Sequence, residues 1–363
     1  MEFHVDRIFR GPGFAETLFL GTCGSGSRRI IRKSSNPDAH AFSKTALIRE
    51  IRLLLNLPDR LRPFFPEIIR TNLGDRTESS DDLPSIIYYD MPYYSPEDGW
   101  APLSELLLGG TIDPEKAKHV LGEIMDTAFL YFRLDERKPG DDYPEKTMLR
   151  AIRESIGWAE NDDDFRQLFS IRTMVINEKP VWNVYDLAGC FHDTDRMRKL
   201  LTPARDRFLH GDFFPENILF NTQTGRWLLL DPVSVRGVHR GDFILDVNKM
   251  DDWLSGELPA LRFGQFSWTV RQNRVDFVIH RQSGKLKKLR RYGLSSWYRA
   301  RLEDRSYAGV FSEETGWEVR WSFIKAFYAF CMLPLAEKRQ AVARYFLALM
   351  SMDDFLEKTG KRD

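Results

Sequence analysis

The chain has 363 residues, with 53 Lys+Arg against 53 Asp+Glu, so its formal net charge is zero; 42% of the residues are apolar and 13% aromatic. That balance excludes a disordered polyelectrolyte and argues against bulk attraction to nucleic acid or an anionic membrane. Cys23, Cys190 and Cys331 have no CxxC spacing, which excludes a disulfide scaffold and a paired zinc motif. The opening residues, MEFHVDRIFRGPGFAE, contain no apolar run of the secretory type. The apolar stretch 323–336 is interrupted by Lys325 and Pro334 and is too short to cross a bilayer. A soluble cytoplasmic chain with one large or two medium domains is expected.

In chain order, residues 17–23 (TLFLGTC) are β-prone and follow a Gly-containing turn. The GSGS run at 24–27 reads as a hairpin turn, and 28–33 (RRIIRK) as the return strand. Residues 42–57 read as a helix, because Leu47, Ile51, Leu54 and Leu55 follow the i, i+4, i+7, i+8 rule. Residues 86–89 read as a short strand that ends in a linker, Asp90-Met91-Pro92. Farther on, Asp113-Pro114-Glu115 opens a helix with an N-cap acid and a first-turn proline. Apolar positions from Ala117 to Phe132 continue it. Residues 136–142 and 161–164 are polar or acidic and read as surface loops. Thr315-x-x-Glu318 has the form of a capping box before a long helix containing Trp321, Ile324, Phe327, Tyr328 and Cys331. Arg281, Lys285, Lys287, Lys288, Arg290 and Arg291 form a basic cluster, read as a solvated face because it lacks the aromatic interleaving of a nucleic-acid site.

Residues 208–250 carry the chemistry. His210-Gly211-Asp212 is followed by Asn217, a short apolar strand, a polar turn at 221–225, a second apolar strand and Asp231-Pro232. Pairing the two strands brings Asp212, Asn217 and Asp231 to one edge of the hairpin. Phosphoryl transfer fits this set, since it needs charge neutralisation and positioning more than covalent catalysis. Carboxylate and amide oxygens suit Mg²⁺, and a separate carboxylate can accept the proton of an attacking hydroxyl.

The text LHGDFFPENILF…WLLLDP resembles the aminoglycoside phosphotransferase and choline kinase branch of the protein-kinase-like fold. Gly211 and Pro232 match that small-molecule branch, where protein kinases read HRD and DFG. The run 241–247 (GDFILDV) is similar to its downstream GDPxxDLA segment. The resemblance implies an α+β, two-lobed protein-kinase-like fold. A small N-terminal antiparallel sheet lobe with one helix (1–92) would bind nucleotide. A larger, mostly helical C-terminal lobe (93–363) would carry catalysis and the substrate.

The resemblance also implies roles. Asp212 would be the catalytic base, and Asn217 and Asp231 the Mg²⁺ ligands. His210 and Asp246 would be structural supports. Gly13 and Phe14 fall in the nucleotide loop, which lacks a full GxGxxG. Glu50 falls where the family's helix carries its ion-pairing acid. On the strand RRIIRK, Lys33 and Arg32 both match family patterns for the phosphate-gripping cation. Side chains alternate between faces, so one of the two points at the nucleotide, and Lys33 is favoured. Asp90 and Met91 lie in the expected hinge.

The implied activity is Mg²⁺-dependent transfer of the γ-phosphoryl of ATP or GTP to a hydroxyl of an antibiotic or a sugar or amino-alcohol metabolite. Neither a nucleic acid nor a membrane is an expected partner. A protein kinase is disfavoured because HRD, DFG and a readable APE segment are missing. A non-catalytic scaffold is disfavoured by the intact Asp212, Asn217 and Asp231. Zero net charge shifts the expected acceptor away from a polycation. The 162–164 acids are the available surface for a cationic acceptor, and the 281–291 cluster for an anionic one.

Overall fold

The structure, a computed structural model, describes residues 3–9, 16–23, 29–36, 43–76, 78–80, 82–134, 136–234, 239–282 and 284–360. Gly11, Gly13, Phe14 and the GSGS turn lie outside these residues. The chain forms two compact units, Met1–Leu106 with His210–His239 and Leu107–Leu209 with Arg240–Asp363. Besides the expected 1–92 lobe, the first unit therefore holds residues 93–106 and the segment around the HGD motif. Strand pairing explains this, because Trp100–Pro102 pairs antiparallel with Ile218–Asn221.

The first unit is built on an antiparallel five-stranded sheet, in the order Phe3–Phe9, Glu16–Cys23, Arg29–Ser35, Tyr88–Pro92, Arg70–Thr71. The central strand sets the two basic residues on opposite faces, with Lys33 across from Leu18 and Tyr89, and Arg32 across from Phe19 and Asp90. The strand expected to end before Asp90 runs on through Asp90, Met91 and Pro92. Backbone pairing to Arg29–Ser35 carries it that far, and the buried Asp90 carboxylate is neutralised by Arg32 and Arg70.

The helix Ser43–Leu55 buries Leu47, Ile51 and Leu54, as its spacing requires, and leaves Leu55 exposed. Glu50 falls on the same stripe and is buried with them. A separate three-stranded sheet holds Trp227–Leu229, Ile218–Asn221 and Trp100–Pro102. Its hairpin turn is locked by the Asn221 side chain, which accepts from the Gln223 and Thr224 amides and donates to the Asp98 carbonyl. The Phe64 ring stacks on Trp227 with centroids 4.7 Å apart.

The second unit is rich in helices. Pro114–Tyr131 starts as expected, with the Asp113 carboxylate accepting from the Glu115 and Lys116 amides at 2.9 and 3.1 Å. The Thr315–Glu318 capping box does not form. The helix begins at Trp317, with Gly316 as N-cap in the left-handed region and no side-chain cap. The 161–164 segment is also not a plain loop. Asp162 caps the helix Asp163–Phe169, and Asp162 and Asp164 both pair with Lys338. Asp162 and Asp164 are thus already paired, which leaves less free negative charge there for a cationic acceptor.

Unexpected from sequence is a four-stranded mixed sheet, in the order Phe266–Arg271, Arg274–Ile279, Met174–Ile176, Lys179–Val181. Among the described residues, no helix is long and apolar enough to cross a membrane.

A buried charge web ties distant parts of the second unit together. Arg320 donates to Asp242 at 2.6 Å and to Glu314 at 2.9 Å, all three nearly inaccessible. Arg207, equally buried, faces Glu314, Glu136 and Glu313. Desolvating these groups is compensated only while every partner is present. Arg320→Ala is therefore expected to destabilise the protein by about 3–5 kcal/mol, read as a lowered denaturant midpoint; a loss under about 1 kcal/mol would show the web to be dispensable.

Candidate active site

In the first unit, Lys33, Glu50 and Asp231 converge. The Lys33 Nζ lies 2.7 Å from Glu50 Oε2 and 2.7 Å from Asp231 Oδ1. Glu50 is held from its other side by the Tyr89 hydroxyl, which donates to Oε1 at 2.8 Å. Lys33, Glu50 and Tyr89 are all buried, while the Asp231 side chain is 46% exposed. The cluster thus has a sealed end and an open end, and the open end is a carboxylate.

Arg32 points away from this cluster. Its guanidinium forks onto Asp90 at 2.8 and 3.1 Å and lies 3.9 Å above the Tyr88 ring. The alternation of one strand therefore separates the two candidate cations, and the structure brings Lys33, not Arg32, to Glu50 and Asp231. Asp90 is engaged by Arg32 and Arg70 on that other face. Met91 is buried within the same strand.

The HGD loop is also fixed within the first unit. Asn217 donates its side-chain amide to the Asp212 carbonyl at 2.9 Å and to Asp212 Oδ2 at 2.7 Å. The Asp212 amide donates to Nδ1 of His210, a fully buried ring flanked by Phe65 and Phe213. Two backbone bonds join this loop to the Asp-Pro segment: Leu230 N–H to the Asn217 carbonyl and Val233 N–H to the His210 carbonyl, both 2.8 Å. They set Asn217 beside the residue that precedes Asp231.

Two backbone conformations make the arrangement possible. Gly211 has φ +82°, and a Cβ there would sit 1.9 Å from the Val233 carbonyl oxygen. Any side chain at 211 would push the Asp-Pro segment off the loop. Asp231 itself has φ +53°, a region costly for a non-glycine residue and one that recurs at functional sites. Among the sequence-predicted supports, Asp246 lies in the second unit, buried on the helix Ile244–Leu254, with the Tyr131 hydroxyl 3.4 Å from Oδ2.

The set can neutralise and position an anionic ligand. Asn217 Oδ1 and the outer oxygen of Asp231 are hard donors of the kind Mg²⁺ takes, so the residues fit that ion. Sequence reasoning placed Tyr89 at the start of the expected hinge and missed its hydroxyl's contact with Glu50, which follows from its place across the sheet from Lys33.

No family model matches the sequence, and no curated protein matches it either. Solved structures do. An ethanolamine kinase of Plasmodium vivax aligns over 96% of this chain and 81% of its own, with a TM-score of 0.50 and 8% identity. The fold is protein-kinase-like. A microcompartment-associated aminopropanol kinase aligns over 100% and 94% at TM-score 0.42 and 11% identity. A spectinomycin phosphotransferase, solved with ADP and spectinomycin, aligns over 96% and 89% at TM-score 0.40 and 11% identity. The structural likeness carries the fold; the residues carry the chemistry.

Burial raises the Glu50 carboxyl from 4.5 to about 7, with Lys33 opposing and Asp231 adding to the shift. A carboxyl that is more basic in the folded than in the unfolded chain binds extra protons when folded. Its stabilising effect is complete below pH 4.5 and is lost as pH rises to about 7. Wild type should therefore lose about 3 kcal/mol of stability across this window relative to Glu50→Gln. Denaturant unfolding of both proteins at several pH values checks it, and parallel pH profiles would contradict it.

Proposed function

We propose that the chain is a small-molecule kinase, which transfers the γ-phosphoryl of ATP or GTP to a hydroxyl group with Mg²⁺ bound. The observation that carries this reading is the convergence of Lys33 on Glu50 and Asp231, beside a loop in which Asn217 clamps Asp212. A buried cation of fixed position and an exposed carboxylate are what a nucleotide's phosphates and their metal require.

In this reading the buried Glu50 and Tyr89 hold the Lys33 ammonium in place, and Lys33 neutralises phosphate charge. Asn217 Oδ1 and Asp231 would hold Mg²⁺, which when bound shields the charge that builds up between the β- and γ-phosphates. Asp212 orients the acceptor hydroxyl and takes its proton as the hydroxyl oxygen bonds to the γ-phosphorus. The bond from that phosphorus to the bridging oxygen breaks, and the nucleoside diphosphate leaves. The amide of Asn217 keeps one Asp212 oxygen engaged, so the other is the one offered to the hydroxyl. His210 supports the loop from its buried position.

Nucleotide handling is assigned to the first unit, which holds all of these groups. The acceptor is assigned to the class of hydroxylated metabolites and antibiotics. Within that class a neutral or anion-bearing compound is preferred over a polycation, because Asp162 and Asp164 are already paired with Lys338.

A screen of hydroxyl compounds for nucleotide consumption tests the reading. Turnover should appear with at least one compound and fall about 10²–10⁴-fold in Asp212→Ala. Lys33→Met should lose about 10²-fold or more. Turnover that is indifferent to both substitutions would refute the assignment.

A further inference from the structure

A cavity of about 90 Å³ lies within the second unit, among the helices Ile244–Leu254, Glu257–Arg262, Trp317–Cys331 and Lys338–Lys358. Its charged lining is Lys249, Asp252, Glu257, Arg262, Lys325 and Arg344. The carboxylates face Lys325 and Arg281. Lys325 bridges Asp252 at 3.1 Å and Glu257 at 2.9 Å, and Arg281 takes the second oxygen of Glu257 at 2.8 Å. The Lys249 ammonium lies 4.9 Å from the centre of the Tyr328 ring.

Arg344 is left over. Its residue is only 7% exposed, yet among the described residues it makes no hydrogen bond or ion pair, and its Nε is sealed from solvent. Burial and the neighbouring Arg262, opposed by Asp252 and Glu257, lower its pKa to about 10, which still leaves the guanidinium charged at neutral pH. Asp252 and Glu257 act on this charge across the cavity without bonding to it, so a nearly buried guanidinium keeps donors that no described residue takes, which costs stability unless a ligand meets them.

We propose that this cavity is an oxyanion site, in which Arg344 holds the phosphate or carboxylate group of a small ligand. A guanidinium presents paired N–H donors that match two oxygens of either group. The cavity has room for roughly three water molecules, the size of one such group rather than of a nucleotide. The apolar walls, Leu258, Leu261 and Leu347, keep the dielectric low and strengthen the contact. The proposal stands apart from the phosphoryl-transfer reading, since every residue in it belongs to the second unit.

Calorimetric titration of the full chain with inorganic phosphate, and separately with acetate, tests it. Arg344→Met should weaken the binding of at least one of the two by about tenfold or more. The anion that responds identifies the group the cavity takes. In anion-free buffer Arg344→Met should also raise Tm, because burial costs this charge more than Asp252 and Glu257 return. Arg344→Lys keeps the charge without the fork and should bind more weakly than wild type. Lys33→Met controls for phosphate bound in the first unit and should leave the Arg344-dependent binding intact. Binding that persists unchanged in Arg344→Met and Arg344→Lys, binding lost in Lys33→Met instead, or no binding of either anion overturns the assignment.

Discussion

A single buried ammonium organises the first unit. Lys33 is held from the helix side by Glu50 and from the hairpin side by Asp231, each at 2.7 Å. Taking this cation out of water is tolerable only because two carboxylates meet it, and Glu50 is tolerable there only because Lys33 and Tyr89 meet it in turn. The central strand, the helix Ser43–Leu55 and the Asp-Pro segment are thereby committed to fixed mutual positions. The positive φ of Asp231 and the forced glycine at 211 follow from that commitment. Each is a local cost that brings the Asp-Pro segment against the HGD loop.

Much of this was legible in the sequence. The hairpin at 218–229, the helix over 43–55 and the 114–131 helix all follow from apolar spacing and turn residues. Glu50 could be picked out because it falls where the resembled family's helix carries its ion-pairing acid. The choice between Lys33 and Arg32 could be framed from strand alternation, but it needed the register against Tyr88–Pro92 to be decided. Strand pairing of that kind joins residues more than fifty positions apart, and no local pattern encodes it.

Other features were out of reach for the same physical reason. The mixed sheet of the second unit includes three-residue strands, too short to show a period. The apparent capping box at 315–318 met the local rule, yet a left-handed Gly316 starts the helix instead. Asp162 and Asp164 read as free surface acids because Lys338, their partner, is far along the chain. The buried web of Arg207, Asp242, Glu314 and Arg320 is likewise built from residues that look solvated in isolation. Zero net charge therefore conceals two kinds of local order, closed webs of paired ions and the buried guanidinium of Arg344, which has no hydrogen bond among the described residues.

The most direct measurement is calorimetric titration of ATP and GTP into wild type and Asp231→Asn, with and without Mg²⁺. If Lys33, Asn217 and Asp231 form a nucleotide–metal site, wild type binds at least one nucleotide more tightly with Mg²⁺, and Asp231→Asn loses that metal dependence. Affinity that is the same with and without Mg²⁺, or a metal effect that survives in Asp231→Asn, would contradict it.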